Sequence, residues 1–559
     1  MKPYRNLKRW VSLAITAAVF GLVLMATVST GVAPDGAERA LAQQAQAALR
    51  AWAQFGGTVH RNMVNTMEKN MPVEWDVATK KNIKWVAALG TRAYGGPTIA
   101  GGKIFVGTNN GNPRNPKVKG DKGIVMCFRE SDGQFLWQAI HDKLPSGQVN
   151  DWPNEGICSA PTIEGNRVYY TSNRCEIVCV DTEGFHDGKN DGAQDEKYRD
   201  KTDADIIWRY DMMKELNVFP HNLAVCSPLI VGDLIFEVTA NGVDEGHINI
   251  PSPAAPSFIA VTKQSGKLVW QDNSPSINLL KAKTNVGDQE SFFKRLVDQG
   301  LLLMHGQWSN PCYAVVRGKG QVIFPGGDGW LRAFEPETGK LLWKFDCNPK
   351  DSKYALGGQG TRNDFIATPV VHDNKLYIGV GQDPEHFEGV GHFWCIDLIK
   401  ATEKGATNKD HDVSPVNDIF DAKHPANKDS ALVWHYGGPA DPNSGRDYVF
   451  GRTMSTCAVH DGLVWVAELA GYLHCLDAAT GQVYWVQDLK SAVWGSPYWV
   501  DNKIYLGTED GDVWIFAHGK EKKQLAKIEM PHQVKSTPIA VNGVLYVMTE
   551  HDLYAIVNK

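Results

Sequence analysis

Apolar residues in this chain fall in short, strand-length runs broken by tight polar turns. The stretch "HDGLVWVAELAGYLHCLDAATGQVYWVQDL", His460 to Leu489, shows the unit. A Gly turn, an apolar run, a second Gly turn and another apolar run lead to "DAATG" and a last run carrying a tryptophan. The runs are rich in Val, Ile, Leu, Tyr and Trp and bounded by Gly, Asn and Asp, which predicts antiparallel strands joined by hairpins.

The unit recurs. Its starts are a small or hydroxyl residue near a proline or its equivalent: Gly95, Ser159, Ser227, Ser309, Thr368, Ser455, Ser496 and Thr537. Tight turns such as "AGGK", "EGNR", "HDNK" and "VDNK" follow. The last strand of each unit is marked by Trp137, Trp208, Trp270, Trp343, Trp434 and Trp485, with Leu525 expected in that place in the seventh. The eighth unit ends at Lys559 one strand short, and "NIKWVAALG", with Trp85, is the spare strand near the other end. The expectation is an all-β, eight-bladed propeller of four-stranded antiparallel blades, closed by an N-terminal strand that completes the last blade and removes the open sheet edges.

The motif "A/C-x-D-x-x-T-G-x-x-x-W", seen in "CLDAATGQVYW" and in close form in "AFEPETGKLLW", resembles the PQQ-binding-like, quinoprotein-type repeat family from about Trp52 to Lys559. That family includes quinoprotein alcohol and glucose dehydrogenases and also cofactor-free propellers, such as the periplasmic component of outer-membrane protein assembly. The resemblance therefore implies a fold before an activity. It leaves two expectations: a binding or scaffold module, or an oxidoreductase using PQQ and Ca²⁺ on an alcohol or sugar. The sequence has no adjacent cysteine pair, which quinoprotein alcohol dehydrogenases typically carry, and no "CxxCH" for a covalent haem. The first expectation leads.

The N-terminus departs from the pattern. Lys2, Arg5, Lys8 and Arg9 precede an almost uncharged run from Val11 to Val32. This reads as an export signal or membrane anchor over residues 1–42, with a further extension over 43–80 before the propeller at 81–559. Export would put the bulk of the chain outside the cytoplasm, with a membrane contact only through an uncleaved N-terminal segment. The net charge of −6 and pI near 6.3 give no footprint for nucleic acid. Of the ten cysteines, Cys127, Cys179, Cys395 and Cys475 share one repeat position with Ala260, Ala333 and Ala555, a tight packing slot. Cys158 and Cys175 flank a hairpin and form a candidate disulfide.

Insertions sort by face. The second-to-third-strand loops and the links between blades share one face, and most long polar loops lie there, where function concentrates on a rigid scaffold. From them come the candidate binding residues Asp383, His386 and His392; Arg362, Asn363 and Asp364; and Trp308, Asn310 and Arg452. Carboxylates and amides can hold a cation, guanidinium groups can clamp a carboxylate, and Trp308 can supply an apolar wall. The partner expected there is a protein or small-molecule ligand. The opposite face carries insertions at Asp181–Asp205 and Lys400–Ser430; in the first, "DGKNDG" offers Asp187, Asn190 and Asp191 as a weak calcium loop. The link from Asn273 to Gln307 contains a helical pattern with Phe292, Phe293, Leu296 and Val297 on one face.

Overall fold

The computed structural model describes residues 51–558, apart from 248, 277–304, 350–362, 384, 386–388 and 416–425. Arg362, His386, the N-terminal export segment and the helical pattern at 287–300 lie outside the described residues.

Eight sheets follow one another along the chain, antiparallel except where Val64–Asn65 pairs in parallel with Tyr498–Val500. Blade 1 holds Thr98–Ala100, Lys103–Asn109, Lys122–Arg129 and Phe135–Asp142. Blade 2 runs from Thr162–Glu164 to Ile206–Asp211, blade 3 from Leu229–Val231 to Leu268–Asp272, and blade 4 from Cys312–Val316 to Leu341–Asp346. Blade 5 starts at Val370–His372 and gains a fifth strand, Tyr448–Phe450, beside Leu432–Pro439. Blade 6 spans Ala458–His460 to Val483–Asp488, and blade 7 spans Tyr498–Val500 to Gln524–Glu529. Blade 8 takes Ile539–Val541, Val544–Met548 and Asp552–Ile556 from the C-terminus and Ile83–Ala88 from the N-terminus. The ring is an eight-bladed propeller closed by the N-terminal strand.

The repeat motif is a latch between neighbouring blades. Each marker tryptophan sits opposite the Cys/Ala slot: Trp137 faces Cys127, Trp270 faces Ala260, Trp485 faces Cys475 and Trp85 faces Ala555. Its indole N–H reaches into the next blade's turn. Trp85 donates to the Glu130 carbonyl at 3.1 Å, Trp137 to Thr182 at 3.0 Å, Trp208 to Lys263 at 3.2 Å and Trp434 to Ala478 at 3.1 Å. The turn glycine is there because the ring lies against it: a Cβ on Gly133 would come within 2.6 Å of Trp85. Blade 5 varies the device. Its turn is replaced by the helix Leu398–Thr407, whose Gly405 lies on Trp343, and Trp343 donates instead to Gln321. In blade 7 the register puts Ala526, not Leu525, opposite Ile515, because a bulge follows Ile515; Leu525 is exposed. All ten cysteines are free, so Cys158 and Cys175 are not bonded; the Cys175 thiol faces the Thr239 carbonyl at 3.2 Å.

The segment after Ala51 has a role that its sequence does not announce. It winds once round the axis and visits the innermost strands in order. Trp52 pairs with Ile99 of blade 1, and the Ala53 carbonyl accepts from Ile163 of blade 2. Val59 accepts from Tyr313 of blade 4, His60 from Val371 of blade 5 and Met63 from Trp499 of blade 7. Asn62 bonds both ways with Val459 of blade 6, and Asn65 donates to Ala540 of blade 8. These bonds satisfy strand edges that would otherwise stand open round the axis. Arg61, fully buried, pins the turn by donating to the carbonyls of Phe55, Ser227 and Pro311.

Candidate functional site

Above this axial segment lies a cavity of about 510 Å³. The start of every blade contributes to it, along with Phe55 from the axial segment. The hydroxyl residues that open the repeats form a bonded collar round the axis. Ala160 N–H donates to Ser227 Oγ, Ser227 N–H to Asn310 Oδ1, and Asn310 Nδ2 to Thr368 Oγ1. Thr368 N–H donates to Thr456 Oγ1, Thr456 N–H to Ser496 Oγ, and Ser496 N–H to Thr537 Oγ1. The side chains of Ser227, Asn310, Thr368, Thr456, Ser496 and Thr537 thus tie blades 2 to 8 in sequence and frame the funnel.

The walls are mixed. Trp152, Trp308, Trp494 and Tyr94 supply aromatic surface. On the side of blades 1, 7 and 8, the Lys535 ammonium lies over the rings of Tyr94 and Trp494, 5.1 and 5.0 Å from their centres, and 3.3 Å from both Glu509 and Glu550. Glu155 faces Tyr94 there; burial raises its pKa, and its Oε2 is buried with no hydrogen-bond partner among the described residues.

The opposite wall gathers histidines and carboxylates from four loops. His221 comes from the link between blades 2 and 3, His247 from the second-to-third-strand loop of blade 3, His305 from the link to blade 4, and Glu385 from the corresponding loop of blade 5. The three rings lie 4.6–4.9 Å apart. Trp308 packs on His221 and His305, and its indole donates to the His221 carbonyl at 3.1 Å. Gly242 lets these segments close up, since a Cβ there would stand 2.6 Å from both His221 Cβ and the His305 carbonyl. Burial, aided by the two neighbouring rings, lowers the His221 pKa to about 3, so the ring is neutral. Burial acts the same way on His305, but Asp383 and Asp364 outweigh it and hold that ring up at about 10. His305 Nδ1 is 3.0 Å from Asp383 and 3.7 Å from Asp364. Burial works to raise the pKa of Glu385, yet its bond with His247 leaves it below the usual carboxylate value.

Of the residues singled out from the sequence, Trp308, Asn310 and Asp383 line the cavity. Asp364 lies behind Asp383, and Arg452 donates to the Asp383 carbonyl, so both hold the loop. Asn363 is buried away from the cavity wall, and its backbone amide donates to Asn348. Asn310 spends both ends of its side chain on the collar. His392 is elsewhere: it stacks on His435 within blade 5, Nδ1 to Nε2 at 2.9 Å, and burial lowers its pKa to about 3. On the opposite face, Asp187 accepts from Lys189 and Asn190 from Gln194 within the turn, and the Asp191 amide donates to Asp205 across the insertion. The sequence pattern did not point to His221, His247, His305, Glu385, Glu155 or Lys535. Sorting the 17 histidines by loop face would have placed three of them together.

Comparison with known proteins fits this architecture. A family model described as outer membrane protein assembly factor BamB matches residues 426–559. This match and the eight-bladed fold support the resemblance of the repeats to PQQ-like β-propellers. A curated relative of this propeller, the dehydrogenase subunit of a quinone alcohol dehydrogenase from Gluconacetobacter polyoxogenes, is 30% identical over 148 residues; the match covers 22% of this chain and 18% of that protein's length. Two solved quinohemoprotein alcohol dehydrogenases share the fold. That from Comamonas testosteroni has a TM-score of 0.54 at 12% identity, over 92% of this chain and 84% of that one. That from Pseudomonas putida HK5 has a TM-score of 0.55 at 13% identity, over 93% and 82%.

Proposed function

We propose that the protein is an exported binding module and that the axial funnel is its binding site for a small molecule. The observation that carries this reading is the cavity itself. It is floored by the axial segment, framed by all eight blades, walled by four aromatic side chains and supplied with a few polar groups at opposite sides. Its volume falls within the few-hundred-Å³ range of small-ligand sites. The Lys535–Glu155 side and the Asp383–Glu385 side favour a ligand with an apolar body and a polar group at each end. Export rests on the basic and apolar N-terminal sequence. Among the described residues, no helix is long and apolar enough to cross a membrane. The test is to purify the protein from its native host, denature it, and identify any released organic molecule by mass. A stoichiometric small molecule is expected; capture of a protein on the long-loop face with no small molecule would replace the reading by a protein scaffold.

A second reading, a PQQ- and Ca²⁺-dependent oxidoreductase, is favoured by the match to the quinone alcohol dehydrogenase subunit. The charges in the cavity do not fit that group. PQQ carries three carboxylates, whereas Lys535 is the one cation among the described lining residues and already sits against two glutamates. Glu155, Asp383 and Glu385 line the same space with negative charge. Adding PQQ with Ca²⁺ is therefore expected to give no dye-linked oxidation of alcohols or sugars. Activity that is lost in Glu155→Gln with folding intact would move the assignment to the oxidoreductase.

A further inference from the structure

We propose that His221, His247, His305 and Glu385 form a binding site for one divalent transition-metal ion, of which zinc is the reference, in the wall of the axial funnel. One donor atom from each of the four lies within 4.8 Å of the other three. A tetrahedral zinc ion with bonds near 2.0–2.1 Å holds its ligand atoms about 3.3 Å apart. Closing from the one spacing to the other takes side-chain adjustments of about 1 Å, on loops that converge at this wall.

The outer contacts are those a ligand set needs. Histidine ligands are fixed by what the other ring nitrogen bonds to. His221 Nδ1 is 2.9 Å from the Val243 carbonyl, which fixes it as the N–H and leaves the Nε2 lone pair for a ligand bond. That Nε2 is buried, has no hydrogen-bond partner among the described residues, and stands 3.9 Å from Glu385 Oε2. The separation is too long for a hydrogen bond and suits two ligands on either side of one ion. His305 is held by Asp383 at Nδ1, so Nε2 is its ligand nitrogen, in a carboxylate–histidine arrangement; the incoming ion displaces the Nε2 proton to solvent. His247 Nε2 is 3.1 Å from Glu385 Oε2. Asn222 Nδ2 donates to Glu385 Oε1 at 2.8 Å, which orients the carboxylate.

The donor types select the ion. Three imidazoles with one carboxylate suit zinc, copper, nickel or iron; calcium takes six to eight oxygens and finds one carboxylate here. The site is thus chemically distinct from a quinoprotein calcium site. Glu385 and Asp383 also line the cavity, so the ion would lie beside whatever occupies the funnel. The inference does not depend on that occupant, because its test reads the metal alone.

Tag-free protein is stripped with a chelator and titrated calorimetrically with Zn²⁺ and, separately, Ca²⁺. Co²⁺ loading is followed by visible absorption. One zinc per chain, no calcium at the same site, and the cobalt bands of a nitrogen-rich tetrahedral centre are expected. His221→Gln and His247→Gln should each weaken zinc binding on the order of 100-fold with the circular dichroism spectrum unchanged. His247 is half-buried on a loop, so its variant serves even if the buried His221 variant fails to fold. The proposal is overturned if zinc and cobalt do not bind stoichiometrically, if Ca²⁺ binds in preference, or if His247→Gln binds zinc as tightly as the parent.

Discussion

The interblade latch can be isolated with two glycines of blade 6. Gly462 and Gly481 both sit at φ +73°, in the left-handed region where a side chain costs roughly 1–2 kcal/mol. Their surroundings differ. A Cβ at Gly462 meets nothing within 4 Å, whereas at Gly481 it would come within 2.6 Å of Trp434 Cε3 and 2.7 Å of Cδ2. The indole has little room to retreat: it donates to Ala478 at 3.1 Å and packs between Tyr377 and Phe393. Gly462→Ala should therefore cost only the backbone strain, about 1–2 kcal/mol, while Gly481→Ala adds an overpacking cost of about 1–3 kcal/mol. Hydrogen exchange with mass readout over Tyr472–Asp488 measures the local opening free energy. Protection in Gly481→Ala should fall below that in Gly462→Ala by roughly 5- to 150-fold, the equivalent of that added cost. Equal protection in the two variants would refute the idea that tryptophan-on-glycine contacts latch blade to blade.

Three further outcomes follow from the same structure. Trp85→Ala removes a nearly buried indole from the closing strand and should cost about 3–5 kcal/mol, read as loss of exchange protection in Asp552–Ile556; unchanged protection would mean that the ring does not depend on this strand. Cys475→Ala should cost no more than about 1 kcal/mol in denaturant unfolding, because alanine fills the same slot in sister blades; a loss of several kcal/mol would contradict the slot. Burial holds the Glu237 pKa up at about 8, so the folded state binds a proton that the unfolded chain releases near pH 4.5. Stability from this group is full below pH 4.5 and declines as pH rises to 8, by about 5 kcal/mol at most; Glu237→Gln should flatten the fall in melting temperature over that window, and an unchanged slope would assign it to other groups.

The propeller was legible because its information repeats. Eight starts, the Cys/Ala slot and the tryptophans report one packing problem solved many times, and the one-strand deficit after Asp552 specifies closure. Leu525 was misplaced because the bulge after Ile515 shifts the register by a residue, which alternation alone does not reveal. The axial segment was illegible for a different reason: its contacts to seven blades are mostly main-chain bonds, and Arg61 reads as an ordinary surface arginine until it is found among carbonyls. The site was legible by face and not by residue. Loop sorting led to Asp383, Trp308 and Asn310, but His221, His247 and His305 are far apart in sequence and meet only when the ring closes. His392, on the same blade as Asp383, begins a strand and turns into blade packing.

The funnel can be tested by filling it. Gly96 lines the cavity, a Cβ on it would meet no atom within 4 Å, and its φ is not left-handed, so Gly96→Trp should fold and project an indole into the space. The mass of each protein, isolated from the native host, is measured under conditions that keep it folded. The parent should carry a bound small molecule that the Gly96→Trp variant lacks. The same bound mass on both proteins would contradict the assignment of function to the funnel.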